Sequence, residues 1–589
     1  MSLPTPSSRK SYSRFLLLVA GLGGLLYGVD VGIIAGALPY LEATAGLDSG
    51  QLSFIVAAVL LGSVISTLFA GMLADLMGRK WLMALSGLMF VVSIPVIALA
   101  PGYGMLVLGR LLQGVSAGLI GVVIPLYLAE CLDARSRGKG TGIFQWLLTL
   151  GIVAAALIGM YYSMRVEEVS KLGDAKALLA FKDHAWRNIF WVSLPPGILF
   201  VLGCLMVSES PRWLFTKGRK EAARAALLRS RDEQQAELEM QEMEAAANKA
   251  RTGTGVDGVK ESLLRRKYVI PFVLACVILA CNQATGINSV IGYSTNILLQ
   301  SGLSDVQAHR GTVILTVVNF LFTLVGVALV DRRGRKFLLS VGSAGIILSM
   351  LACGFLFRQA EGNRVDCAAE LNRRLGTASS LNVTFTQAEA DTLLAQAGAS
   401  AGLAGKPASL VIIYSCGDFR TSTPALRSDD LAAKPASLTR EACLPVNGVA
   451  AFFSNPFADL EASRKAPLRI ENALITPLPE ASTGWLTATA IFCFMAFFAV
   501  GPGVCVWLAL SELMPTRIRS NGMSIALLIN QGVSTLIAGF FLPTVGRYGY
   551  STMFFGFAAC TVVYFITAAF FLPETKGKTL EEIEKSFGG

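Results

Sequence analysis

Apolar residues come along this chain in long blocks rather than in the alternation of a soluble domain. A bilayer takes about 20 helical residues to cross, and twelve blocks reach or approach that length. They predict span 1 at about 15–38, span 2 at 51–73, span 3 at 81–100, span 4 at 104–129, span 5 at 141–162 and span 6 at 187–207. The second set is span 7 at about 268–299, span 8 at 309–330, span 9 at 337–357, span 10 at 485–511, span 11 at 520–545 and span 12 at 551–572. A polar segment, 163–186, is expected to connect spans 5 and 6. Residues 208–267 are charged and helix-prone, with Glu221-Ala222-Ala223-Arg224 and the stretch from Glu237 to Ala250, and read as short amphipathic helices. Another polar stretch, 358–484, holds no run long enough to span and reads as an insert.

One charged turn occurs twice. Asp75-Leu76-Met77-Gly78-Arg79-Lys80 and Asp331-Arg332-Arg333-Gly334-Arg335-Lys336 each join two apolar blocks with the same spacing. A tight turn needs glycine for its backbone, cations hold the loop in the cytoplasm, and the aspartate can accept hydrogen bonds or pair with an arginine. Other features repeat with it. Glu130 after span 4 has Arg137 seven residues on, and Glu512 after span 10 has Arg519 seven residues on. Ser208-Glu209-Ser210-Pro211-Arg212 follows span 6, and Pro573-Glu574-Thr575-Lys576-Gly577 follows span 12. Asp75 to Glu130 is 55 residues and Asp331 to Glu512 is 181, a difference of 126 that matches the 358–484 insert. The halves are parallel repeats, which predicts an all-α membrane protein of twelve helices in two pseudo-symmetric six-helix bundles. The expected units are 1–207, the N-terminal bundle; 208–267, a cytoplasmic linker; 268–357 and 485–589, the C-terminal bundle and tail; and 358–484, an extracytoplasmic insert.

Composition agrees. Hydrophobic residues make up 53% of the chain and charged ones 15%, below the ~25% of soluble proteins. The net charge of +10 would suit nucleic acid, but its cations sit in short loops on one side of the spans. That is positive-inside topology: a multi-pass protein of the cell membrane, the bacterial inner membrane in particular, with both termini cytoplasmic and no nucleic-acid partner. Span 1 is too long for a signal peptide and contains Asp30, so a retained helix is expected. The eleven cysteines show no Cys-x-x-Cys spacing, so neither a metal nor a cofactor is expected. Cys367, Cys416 and Cys443 fall in the insert, where oxidation is chemically open and the pairing undetermined. Asn382-Val383-Thr384 is a glycosylation acceptor in a host that glycosylates. The histidines, His184 and His309, lie in predicted outer loops, and nothing points to an enzyme.

The two repeated turns, Glu209-Ser210-Pro211-Arg212, Pro573-Glu574-Thr575-Lys576-Gly577 and Gly501-Pro502-Gly503 together resemble the sugar porter family of the major facilitator superfamily. The resemblance covers the chain outside 358–484. It implies two six-helix bundles with alternating access, and members include bacterial proton–sugar symporters and facilitative glucose carriers. Some inositol-transporting relatives also carry a long outer loop at the insert's position.

Asp30 lies within span 1, where a carboxylate costs roughly 2.5–3.5 kcal/mol on insertion scales and should face a cavity or a partner. Arg110, within span 4, is the natural partner. In the resembling symporters an aspartate here carries the proton and the arginine tunes it; a proton site needs a carboxylate whose charge state can swing as the arginine moves. Amides offer donors and acceptors to hydroxyls, and an indole covers a sugar's apolar face. Gln145, Asn282, Gln283, Asn288, Asn319, Trp507 and Asn530 are therefore the candidate substrate residues. Asn282-Gln283-Ala284-Thr285-Gly286-Ile287-Asn288 is similar to the family's sugar-binding stretch, and Gln283 and Asn288 reach one ligand only if the helix breaks between them. Asn282 replaces the family's usual glutamine, and Gln531 stands where many relatives have tryptophan. Tyr293 resembles an outer-gate tyrosine. Asp75, Arg79, Glu130, Arg137, Asp331, Arg335, Glu512 and Arg519 are expected to form a cytoplasmic network like the one that holds relatives outward-open. The function expected is symport of a monosaccharide or polyol with a proton by a monomer in the bilayer; the alternatives are facilitated diffusion with a static Asp30–Arg110 pair, and a sugar sensor.

Overall fold

The computed structural model describes residues 6–132, 134–251, 266–398, 405–430, 435–445, 457–514 and 519–576, with 451, 455 and 587. Among these, twelve helices are long and apolar enough to cross a membrane. Spans 1 to 6 are Arg9–Ala45, Ser49–Met77, Arg79–Ala98, Tyr103–Leu128, Ile143–Ser170 and Ala175–Met206. Spans 7 to 12 are Tyr268–Gly292, Asp305–Val330, Arg335–Glu361, Ala481–Val506, Ile525–Tyr548 and Tyr550–Phe571. An even number of crossings puts the two termini and the linker on one face, called inner below, and the insert on the opposite, outer face.

The two halves start and stop corresponding helices with the same devices. Span 2 begins at a capping box in which Asp48 accepts from the Gln51 backbone, and span 8 at one formed by Ser304 and Gln307. Both then end on a glycine of positive φ, Gly78 at +94° and Gly334 at +89°, which turns the chain directly into the next span. Within the N-terminal half, spans 1 and 5 approach so closely that a Cβ at Gly28 would lie 1.8 Å from the Leu148 carbonyl oxygen. Small residues permit that contact between membrane helices.

Three predictions differ from the structure. The segment 163–186 is mostly helical: span 5 runs on to Ser170, and a new helix, Ala175–Trp191, is capped by Asp174. Its buried face is Leu178, Trp186, Ile189 and Phe190, so the polar residues mark an amphipathic helix rather than a connection. His309 is not in a loop but inside span 8, 1% exposed, stacked on Tyr40 with ring centroids 5.7 Å apart. The insert also adds β-structure to an otherwise helical chain. Its strands are β1 (Val365–Asp366), β2 (Ser380–Val383), β3 (Ala408–Cys416), β4 (Phe419–Ser422), β5 (Leu426–Arg427), β6 (Ala436–Thr439) and β7 (Leu468–Pro477). One antiparallel sheet has the order β1-β7-β3-β4 with β5 on β3; β2 and β6 form a second. Leu371, Leu393, Leu410, Ile412, Ile470 and Ile475 make its own core. Cys367, Cys416 and Cys443 are buried free thiols there, and burial pushes Cys367 up to about 11 and Cys443 up to about 12.

The inner linker packs on the N-terminal half. Arg231 donates to the Cys131 carbonyl at 2.7 Å and Trp213 to the Asp75 carbonyl at 2.9 Å. The insert behaves differently. It leaves the chain between spans 9 and 10, yet Ser422 meets Ser49 of span 2 at 2.6 Å and Asp430 meets Lys182 of span 6 at 2.7 Å. Arg427 meanwhile donates to the Leu299 carbonyl after span 7 at 2.6 Å. The insert therefore touches both halves at their outer ends.

Candidate functional site

Span 7 positions the polar centre of the C-terminal half. Its helix stops at Ala284, and Gly286, with φ +85°, starts a new six-residue helix, Ile287–Gly292. A Cβ at Gly286 would fall 2.5 Å from the Phe557 ring, so both the conformation and the space call for glycine. The break lets Asn288 turn back toward Gln283: its Nδ2 donates to Gln283 Oε1 at 2.9 Å and lies 2.7 Å from Ser534 Oγ. Gln283 Nε2 donates to Asn530 Oδ1 at 3.1 Å, and Asn530 Nδ2 donates to the Leu279 carbonyl at 3.0 Å. Gln283, Asn288 and Asn530 thus form one chain of amides, closed by Ser534.

Asn282, Gln145 and Asn319 make no hydrogen bond to that chain among the described residues. Asn282 is buried with its Oδ1 free of hydrogen bonds, Gln145 is exposed, and Asn319 is half-buried. The side chain of Trp507 lies outside the described residues. Ser534 escaped sequence reasoning, although it stands four residues after Asn530 and so on the same helix face.

The polar centre of the N-terminal half is charged. Arg110 Nη1 lies 3.7 Å from Asp30 Oδ1, and the two side chains are 2% and 1% exposed. Asp30 has no hydrogen-bond partner on either oxygen. Arg110 instead donates to Gln113 Oε1 at 2.6 Å and faces the Phe190 ring at 5.8 Å. Gln113 was missed in the sequence; its place three residues after Arg110 was the available signal. One turn before Asp30, Tyr27 faces Gln531 of span 11 across the two halves.

At the outer ends the halves are bonded shut. Tyr40 of span 1 and Ser163 of span 5 both donate to Asp305 of span 8, at 2.9 and 2.7 Å. Ser53 of span 2 accepts from the Leu542 backbone at 3.1 Å, and Asn296 donates to Glu42 at 2.6 Å. Tyr293 is fully buried here. It stacks on Phe541 at 4.5 Å and donates to the Ala538 carbonyl at 3.0 Å.

On the inner face each half keeps its own charges. Arg79 meets Asp75 at 3.0 Å and donates to Glu130 at 3.0 Å, while Ser210 donates to Glu130 at 2.5 Å. Glu209 accepts from the backbone N–H groups of Arg79 and Lys80 at 2.9 and 3.0 Å. Glu574 does the same for Arg335 and Lys336 at 3.1 and 3.2 Å. A carboxylate placed over the first free N–H groups of a helix satisfies them and complements the helix dipole. The two glutamates stand out in the repeated motifs, but only the fold reveals that they close the turns. The side chains of Arg137, Asp331, Glu512 and Arg519 lie outside the described residues.

The sequence model of a family described as "Sugar (and other) transporter" matches residues 16–369 and 471–587, and its gap falls in the insert. The human proton myo-inositol cotransporter is 26% identical over 97% of this chain and 82% of its own. The galactose-proton symporter of Escherichia coli K12 is 30% identical over 59% of this chain and 72% of its own. Among solved structures, the inward-open xylose transporter XylE of E. coli superposes with a TM-score of 0.62 at 21% identity, covering 97% of this chain and 98% of that one. With twelve spans in two repeated bundles and a family match over most of its length, the chain belongs to the sugar (and other) transporter family and has the major facilitator fold.

Proposed function

We propose that the protein is a proton-coupled symporter of a monosaccharide or polyol, working by alternating access in the cell membrane with both termini in the cytoplasm. The observation that carries this reading is Asp30, a carboxylate buried mid-span with an arginine 3.7 Å away and no hydrogen bond to fix its charge. A small movement of Arg110 changes the balance between the charged and the protonated form, which is the property a coupling site needs. The names of the galactose and myo-inositol relatives, both proton-coupled, support it. Gln283, Asn288 and Asn530 hold the substrate, since each amide can exchange its present partner for a hydroxyl with little net loss. The bonded outer ends close the outer face in this structure. In the cycle, the outer face opens, sugar binds the amides and a proton binds Asp30; the outer contacts then re-form and both are released inside. Uptake into proteoliposomes across a panel of sugars, with and without an imposed proton gradient, tests the reading. Accumulation above the external concentration only when the outside is acidic supports symport; equilibration alone points to facilitated diffusion.

A further inference from the structure

The insert roofs a cavity of about 650 Å3 above the closed outer gate, a volume within the ~300–1,000 Å3 typical of small-molecule sites. Its walls come from three bodies: Tyr40, Glu42 and Lys182 of the N-terminal half, Asn296 of the C-terminal half, and Tyr414 and Ala425 of the insert. Its two basic side chains are paired, and the carboxylates of Glu42, Asp48 and Asp305 are held by neutral donors. Lys182 pairs with Asp430 at 2.7 Å and Arg427 with Asp429 at 2.8 Å. Asp305 accepts from Tyr40 and Ser163. Asp48 caps span 2, and Glu42 accepts from Asn296. One group on the wall is not answered: Asn296, 7% exposed, gives its Nδ2 to Glu42 and leaves Oδ1, an acceptor, with no donor. Buried polar atoms are normally paired, so an occupant with a hydroxyl donor completes the site. An anion would find no unpaired cation among the described lining residues, whereas hydroxyl donors find acceptors in Asn296 and in the carboxylates of Glu42, Asp48 and Asp305.

We propose that this cavity is a second binding site, an outer vestibule that takes a neutral polyhydroxylated molecule with one hydroxyl donating to Asn296 Oδ1. Because the walls belong to both halves and to the insert, an occupant favours the closed outer face over the open one. The site's own chemistry sets the ligand class, while the choice of probes rests on the carrier reading.

The test uses full-length protein in which Gln283→Ala and Asn288→Ala silence the central amides. Ala425→Cys is added to that background, and its labelling by a membrane-impermeant maleimide is followed against the parent, whose insert thiols are buried. Myo-inositol or D-glucose at about four times its Kd is expected to slow labelling about five-fold, the factor that about 80% occupancy gives; choline and inorganic phosphate leave it unchanged, and Asn296→Leu removes the protection. Unchanged labelling with both polyols, protection by the ions instead, or protection seen only while Gln283 and Asn288 are intact would each overturn the vestibule. Calorimetry gives a second readout: Ala425→Trp, which fills the cavity, should abolish the residual myo-inositol heat of the silenced protein, and persistence of that heat refutes the site. Uptake of the same probes by the otherwise unchanged protein reports the carrier reading separately.

Discussion

In the N-terminal half the polar centre is an ion pair 3.7 Å apart whose carboxylate accepts no hydrogen bond; in the C-terminal half it is a run of three amides bonded to one another. The scaffold around them is alike, down to the glycine turns at Gly78 and Gly334 and the glutamates that close them. The difference teaches a division of labour. An under-bonded charge in a low dielectric responds strongly to gaining or losing a proton. A bonded set of neutral amides responds weakly to charge but swaps partners readily.

The sharpest way to break that contrast is Asp30→Asn, which keeps the shape and removes the titration. Uphill accumulation in proteoliposomes is expected to vanish while sugar counterflow persists; accumulation equal to that of the wild type would end the division. Next in size come the amides. Asn288→Ala removes contacts to both Gln283 and Ser534, and Gln283→Ala removes the middle of the chain. Each should weaken binding by about 1–3 kcal/mol, roughly five- to 150-fold by calorimetry. Asn530→Ala, whose amide is held by a backbone carbonyl, should instead shift preference among sugars. Wild-type affinity in both Gln283→Ala and Asn288→Ala would make these packing residues.

The shared scaffold predicts a smaller, matched pair of effects. Glu209→Gln and Glu574→Gln each weaken charge-assisted bonds to two backbone N–H groups, and each should cost about 1.5–3 kcal/mol of stability in denaturant titrations of detergent-solubilised protein. Markedly unequal losses would mean that the likeness of the two turns is only geometric. The smallest expected effect is replacement of 358–484 by a short Gly/Ser bridge. Transport should remain measurable, because the polar centres lie outside the insert, while the outer face opens more readily once the Ser422 and Asp430 contacts are gone. Labelling of a cysteine placed at Ser53 from outside measures that opening, and complete loss of substrate binding in a correctly inserted deletion would place the insert within the transport site.

The spans were legible because each must bury about 20 apolar residues, and a break in span 7 was legible because Gln283 and Asn288, five residues apart, reach one ligand only if the helix is interrupted. The amphipathic helix Ala175–Trp191 was not, since a window tuned to uninterrupted apolar runs discounts a half-polar face. Strand β3 was hidden for the opposite reason: it is buried on nearly every residue, so it lacks the alternation that marks a half-exposed strand. His309 looked like a loop residue because Asp305, Gln307 and Arg310 surround it, and only packing against Tyr40 and Gly36 draws that turn into span 8. Of the site, Asp30, Arg110 and the span 7 amides were legible as polar groups in apolar surroundings. Ser534 and Tyr27 were not, because a serine or tyrosine in a membrane helix is commonplace.

The glycine break in span 7 has a mechanical consequence. Ile287–Gly292 is a rod about 9 Å long at 1.5 Å per residue, with Asn288 near one end and Tyr293 just beyond the other. Such a rod is too short to bend, so a pull on the amide is delivered to the aromatic ring as a tilt about Gly286. If Asn288 holds the substrate as proposed, grip and latch share one lever arm, and a change that tightens the hold also alters how the outer face shuts.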